Sequence, residues 1–151
     1  MKLEDPEILE SSRMRYLQGY VAGMFVFLVL WFTRFFFRSS GLNAQPLGYA
    51  VLAGLIAAAV VFIYYQVRLA MINTRISRNP EIGEAVNNEL YRHCARRAWK
   101  PAFIGAITTT MILALISFGY PVIDLMFVAL SNIVVGSFVY LSALYLYWRA
   151  A

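Results

Sequence analysis

The chain holds one cysteine, Cys94, and one histidine, His93. A single thiol excludes an intramolecular disulfide and leaves the redox compartment open. A lone histidine outside the apolar runs excludes a His-ligated haem within them. The two residues are adjacent, and neighbours on a helix point about 100° apart, so they do not form a nucleophile–base pair. Arginines near Cys94 would favour a thiolate, but its place on an apolar stripe marks it as a small packing residue. Acids are scarce too. No Lys, Asp or Glu stands near the middle of any long apolar run, which argues against a proton-coupled carrier, because proton relays use such residues. These absences lead to an expectation of no catalytic residue, no metal site, no cofactor and no enzymatic activity.

Apolar residues, by contrast, make up 61% of the 151 residues, and charged ones only 14%. Soluble domains run to about 45–50% and about 25%. A chain of this size cannot bury such an excess internally, so lipid is the expected solvent. Crossing about 30 Å of hydrocarbon takes about 20 residues of helix, and four stretches qualify: about 17–37, 46–67, 101–118 and 122–147. The polar turn at 38–46 ends in Pro46, suited to the first position of a helix, and Gly119, Tyr120 and Pro121 leave room only for a tight turn. The expected architecture is an all-α integral membrane protein in one domain: four transmembrane helices, arranged as two hairpins joined by a cytoplasmic amphipathic helix at about 80–100.

The net charge of +5 does not point to nucleic acid, since no basic cluster belongs to a recognisable nucleic-acid module. The basic residues flank the apolar runs, and their asymmetry sets orientation. Lys2, Arg13, Arg15, Arg68, Arg75, Arg78, Arg92, Arg96, Arg97, Lys100 and Arg149 fall on one side, Arg34 and Arg38 on the other. Both termini and the long connecting segment are therefore expected in the cytoplasm of a bacterial-type inner membrane. Aromatic belts agree, with Tyr16, Tyr20, Tyr64, Tyr65, Trp99, Tyr145, Tyr147 and Trp148 at the inner boundary and Trp31 and Tyr120 towards the outer. The first apolar run is too long, and its acidic lead (Glu4, Asp5, Glu7, Glu10) too unlike a signal peptide, for cleavage to be expected.

The connecting segment has the marks of a helix. Asn79 suits the N-cap, Pro80 the next position, and Glu81 and Glu84 the first turn. Ile82, Val86, Leu90, Cys94 and Ala98 form a narrow apolar stripe, and Arg92, Arg96, Arg97 and Lys100 crowd the far end. These four basic residues are candidates for contact with inner-leaflet lipid or a partner. A cap, proline and acidic turn also precede the first span at Asp5, Pro6 and Glu7, an echo attributed to independent selection of good helix starts.

Within the spans the polar content is uncharged: Thr108, Thr109 and Thr110 in the third, Ser131 and Asn132 in the fourth. An unpaired amide in hydrocarbon is costly, so Asn132 is expected to bond across helices, with the threonines nearest in depth. Arg34 is expected to extend to headgroups beside Arg38, and Asp124 to act on the fourth helix's dipole or pair with either arginine. Small residues recur at spacings that let helices approach: Gly19 and Gly23; Ala50, Gly54 and Ala58; Ala102 and Ala106. The leading expectation is a non-enzymatic membrane subunit or regulator working through helix and lipid contacts, with a membrane-protein partner or a second copy. The alternative is a small oligomeric transporter or channel with a pathway near Thr108, Thr109, Thr110 and Asn132; an intramembrane enzyme stands third.

Overall fold

A computed structural model describes residues 6–41, 45–78, 80–86, 89–117 and 125–150. All elements among them are helices: α1 Pro6–Ser39, α2 Pro46–Arg78, α3 Pro80–Val86, α4 Glu89–Ser117 and α5 Leu125–Arg149. Four of these are long and apolar enough to cross a membrane. α1, with 34 residues, is about 51 Å long at 1.5 Å per residue, well beyond the hydrocarbon thickness of about 30 Å.

α1 and α2 run antiparallel, as do α4 and α5. Along the first pair Gly19 lies against Tyr65, Gly23 against Phe62 and Leu30 against Gly54. Along the second, Gly105 meets Val139 and Gly136 meets Ala106. The pairs join chiefly through α1 and α5, so α2 and α4 flank a central α1–α5 seam. The end carrying the starts of α1 and α4 and the ends of α2 and α5 is called the base below.

Close approach explains the glycine at position 23. A methyl group there would lie 3.2 Å from Phe62 Cβ and 3.4 Å from its Cα, so the α2 backbone itself would have to move. At the far end α1 closes with Ser40, whose amide and hydroxyl both donate to the Phe36 carbonyl. Gly41 follows at φ +73°, in the left-handed region that suits glycine.

The α1 face that packs inward reads Leu9, Arg13, Leu17, Tyr20, Met24 and Leu28, all buried, at steps of three and four. Aromatic rings fill the upper seam: Phe127 of α5 stacks on Trp31 at 5.7 Å and on Phe35 at 4.2 Å, with Phe32 edge-on at 6.2 Å. Such pairs add about 0.5–1.5 kcal/mol each beyond area burial.

The connecting segment, expected as one helix at about 80–100, is helical over Pro80–Val86 and again from Glu89, where α4 runs unbroken through Pro101 to Ser117; residues 87 and 88 lie outside the described residues. The apolar stripe serves two destinations. Ile82 and Val86 pack with Leu9, Ile72 and Ile76, while Cys94 and Ala98 pack with Leu17, Leu144 and Trp148. Leu90, between them, is exposed. Pro101 does not begin a new helix. Ala98 and Ala102 on either side of it are both buried, and that packing holds the axis although proline removes one backbone hydrogen bond. The expected N-cap Asn79 and the turn at 119–121 lie outside the described residues.

Candidate functional site

Towards the end of the helices opposite the base, two neighbouring side chains tie α5 to both its partners. Ser131 is fully buried and accepts from Trp31 Nε1 on α1 at 3.2 Å. Asn132, turned about 100° from it, donates through Nδ2 to Thr110 Oγ1 on α4. Thr110 gives its one hydroxyl proton to the Ala106 carbonyl at 3.0 Å, so it can only accept from Asn132, which fixes the amide's orientation. Asn132 Oδ1 is left buried without a partner. Thr109 bonds back to the Gly105 carbonyl at 2.8 Å, and Thr108 is exposed.

A second cluster occupies the base, where α1, α2, α4 and α5 converge. Arg13, only 5% exposed, carries its guanidinium 3.9 Å from the Tyr91 ring centre and 5.3 Å from that of Trp148. Trp148 Nε1 in turn donates to Glu10 Oε1 at 3.2 Å, and its ring meets Tyr91 edge-on at 5.2 Å. Burial of a cation requires such company: the π faces attract it and Glu10 lies one turn away on α1. A cavity of about 210 Å³ adjoins this box, bordered by Arg13, Asn73, Tyr91, Tyr140 and a wall of leucines. The cluster fastens the end of α5 and the start of α4 to α1, and so locks the two pairs together at their base.

Sequence reasoning missed this cluster, because Arg13 was taken only as an orientation charge. The signal was its spacing: it stands four residues after Leu9 and four before Leu17, on the stripe that packs inward. Of the residues singled out from sequence, the structure brings Asn132 and Thr110 together and keeps Thr108 apart from them. Arg34 is half-buried, and its Nη1 donates to the Gly48 carbonyl in the first turn of α2 at 3.3 Å. That carbonyl lies at the same end of the helices as Arg38, which is exposed. Asp124 lies outside the described residues. Arg92, Arg96 and Lys100 are exposed, and Arg97 extends over the Tyr147 ring at 5.3 Å. His93 is exposed whereas Cys94 is buried.

Comparison with family models, with curated proteins and with solved structures finds no match.

Among the described residues no group of three or more His, Cys, Asp or Glu is placed to hold a metal ion. Trp31 with Ser131, Asn132 with Thr110 and Trp148 with Glu10 bond between helices, while the other Ser and Thr hydroxyls that bond return mostly to carbonyls of their own helix.

Proposed function

We propose that this chain is an integral membrane protein whose four long helices cross a bacterial-type inner membrane as two hairpins, with both termini and the segment around 79–88 in the cytoplasm. It acts there as a non-enzymatic subunit or regulator, through contacts of its helices and basic base with another membrane protein and with lipid. The observation that carries this reading is the pairing of Ser131 with Trp31 and of Asn132 with Thr110. Ser131, Asn132 and Thr110 serve as clasps between helices, which favours a scaffold over a conducting path. The charge asymmetry supports the orientation, and the apolar exposed faces of α2 and α4, with Val60, Trp99, Phe103 and Met111 among them, suit lipid or neighbouring helices.

The transporter alternative keeps one observation in its favour, the buried and unpartnered Asn132 Oδ1. Purified protein in proteoliposomes separates the two. The scaffold reading expects ion and solute flux equal to protein-free vesicles, and recovery of one membrane protein in fixed stoichiometry from crosslinked native membranes. Flux that disappears in Asn132→Ala would establish the pathway instead.

A further inference from the structure

We infer that the outward face of α4 at the base is a binding site for an anionic phospholipid, its phosphate held between Arg96 and Lys100. The inference deepens the lipid contact proposed above and rests on that membrane reading. α4 packs inward through Cys94 and Ala98, which meet Leu17, Leu144 and Trp148. The opposite side of the helix carries Arg92, Arg96, Lys100, Phe103 and Ile107 at steps of three and four, and all five are exposed. Among the described residues no hydrogen bond or ion pair engages Arg92, Arg96 or Lys100. Arg96 and Lys100 stand one turn apart, about 6 Å along the helix, so their side chains can converge on one phosphate. The guanidinium offers a bidentate fork and the ammonium a point charge. Arg97 is not part of this pair, since it extends over the Tyr147 ring at 5.3 Å.

Order and depth along this face select a lipid over a soluble phosphate. Lys100 directly precedes the expected third span at 101–118, and Arg96 lies about 6 Å further out, within a headgroup layer roughly 5–8 Å thick. Trp99 is exposed beside them, its ring 5.1 Å from that of Tyr140, as suits the aromatic boundary belt. On the hydrocarbon side Phe103 and Ile107 leave an apolar strip for an acyl chain. On the water side Arg92, His93 and Arg96 line a hollow of about 520 Å³ together with Leu90 and Glu89, room for the polar substituent of a phosphodiester. Glu89 stands seven residues from Arg96, about 10 Å along the helix, which places its carboxylate beside headgroup hydroxyls and away from the phosphate. Basic clusters immediately cytoplasmic of a span are a recurring mode of anionic headgroup recognition.

Native mass spectrometry of the full chain, titrated with phosphatidylglycerol or with phosphatidylcholine of the same acyl chains, tests this. At about 1 kcal/mol per basic residue, the pair predicts roughly 30-fold preference for the anionic lipid. Arg96→Gln/Lys100→Gln is expected to abolish the preference and Arg96→Lys/Lys100→Arg to retain most of it. Arg15→Gln/Arg78→Gln, which removes equal charge from exposed positions elsewhere at the base, is expected to leave it intact. Preference kept in Arg96→Gln/Lys100→Gln, or lost equally in Arg15→Gln/Arg78→Gln, would overturn the site. So would soluble glycerol phosphate that competes as well as the lipid, or a photo-crosslinker at position 92 that captures a protein in native membranes in place of lipid. Carbonate extraction of the same preparations keeps the two readings separate. A chain that stays in the membrane but shows no lipid preference sinks only the site; a chain released by carbonate sinks the membrane reading.

Discussion

Replacing Asn132 with leucine should stabilise the protein, against the usual expectation for a side chain that makes an interhelical hydrogen bond. The bond to Thr110 contributes about 0.6 kcal/mol if it follows the average for membrane helices. Its cost is the buried Oδ1, which has no partner, and an unsatisfied buried acceptor costs about 1–3 kcal/mol. Leucine has similar volume and needs no partner, and Thr110 would still donate to the Ala106 carbonyl. Asn132→Leu is therefore expected to raise stability by about 1 kcal/mol, the balance of the two terms. Thr110→Val works the other way, because it leaves both ends of the amide unpaired and should cost about 1–2 kcal/mol. Combined with Asn132→Leu, the same valine substitution should cost almost nothing. Reversible unfolding in mixed micelles or bicelles, followed by tryptophan fluorescence, measures all four corners of this cycle. If Thr110→Val costs the same with and without Asn132, the clasp makes no energetic contribution. If Asn132→Leu destabilises by more than 1 kcal/mol, the accounting for Oδ1 is wrong.

Other expectations follow from particular contacts. Arg13→Ala should cost about 2–4 kcal/mol in the same unfolding assay, since it removes a desolvated cation–π cation and leaves Glu10 without its nearby charge; a loss below 1 kcal/mol would mean that the basal cluster does not hold the pairs together. Gly23→Ala should cost about 1–3 kcal/mol through displacement of the α2 backbone, whereas Gly136→Ala, whose methyl group would meet Ala106 Cβ at 3.6 Å, should be neutral or mildly stabilising. Ser142→Ala removes a buried hydroxyl without a partner and should raise the unfolding free energy by up to about 1 kcal/mol.

The long helices were legible because their signal is length and hydropathy, which need no knowledge of neighbours. Depth counting from the turn at 119–121 brought Asn132 level with the threonines, and the observed bond goes to Thr110. The division of the apolar stripe between two clusters is not legible in the same way. The spacing of Ile82, Val86, Leu90, Cys94 and Ala98 is regular in sequence, and only the tertiary partners reveal that it divides between two clusters. Pro101 illustrates a related limit: local rules allow it to start a helix or to sit within one, and packing at Ala98 and Ala102 decides. Arg13 was hidden by its charge, although its spacing belonged to the buried stripe. For Arg34 the expected reach is to headgroups beside Arg38, and nothing local identifies a carbonyl 14 residues away as a partner.

The claim that the chain crosses a bilayer with its base in the cytoplasm is tested most directly by cysteine labelling in intact cells. Single cysteines replace Ser40, Glu84 and Ala150, all exposed, in a Cys94→Ala background, and a membrane-impermeant maleimide reports access. Labelling at position 40 in intact cells, with positions 84 and 150 labelled only after permeabilisation, is the predicted result. Labelling at position 84 in intact cells, with position 40 protected, would contradict the orientation and the function built on it.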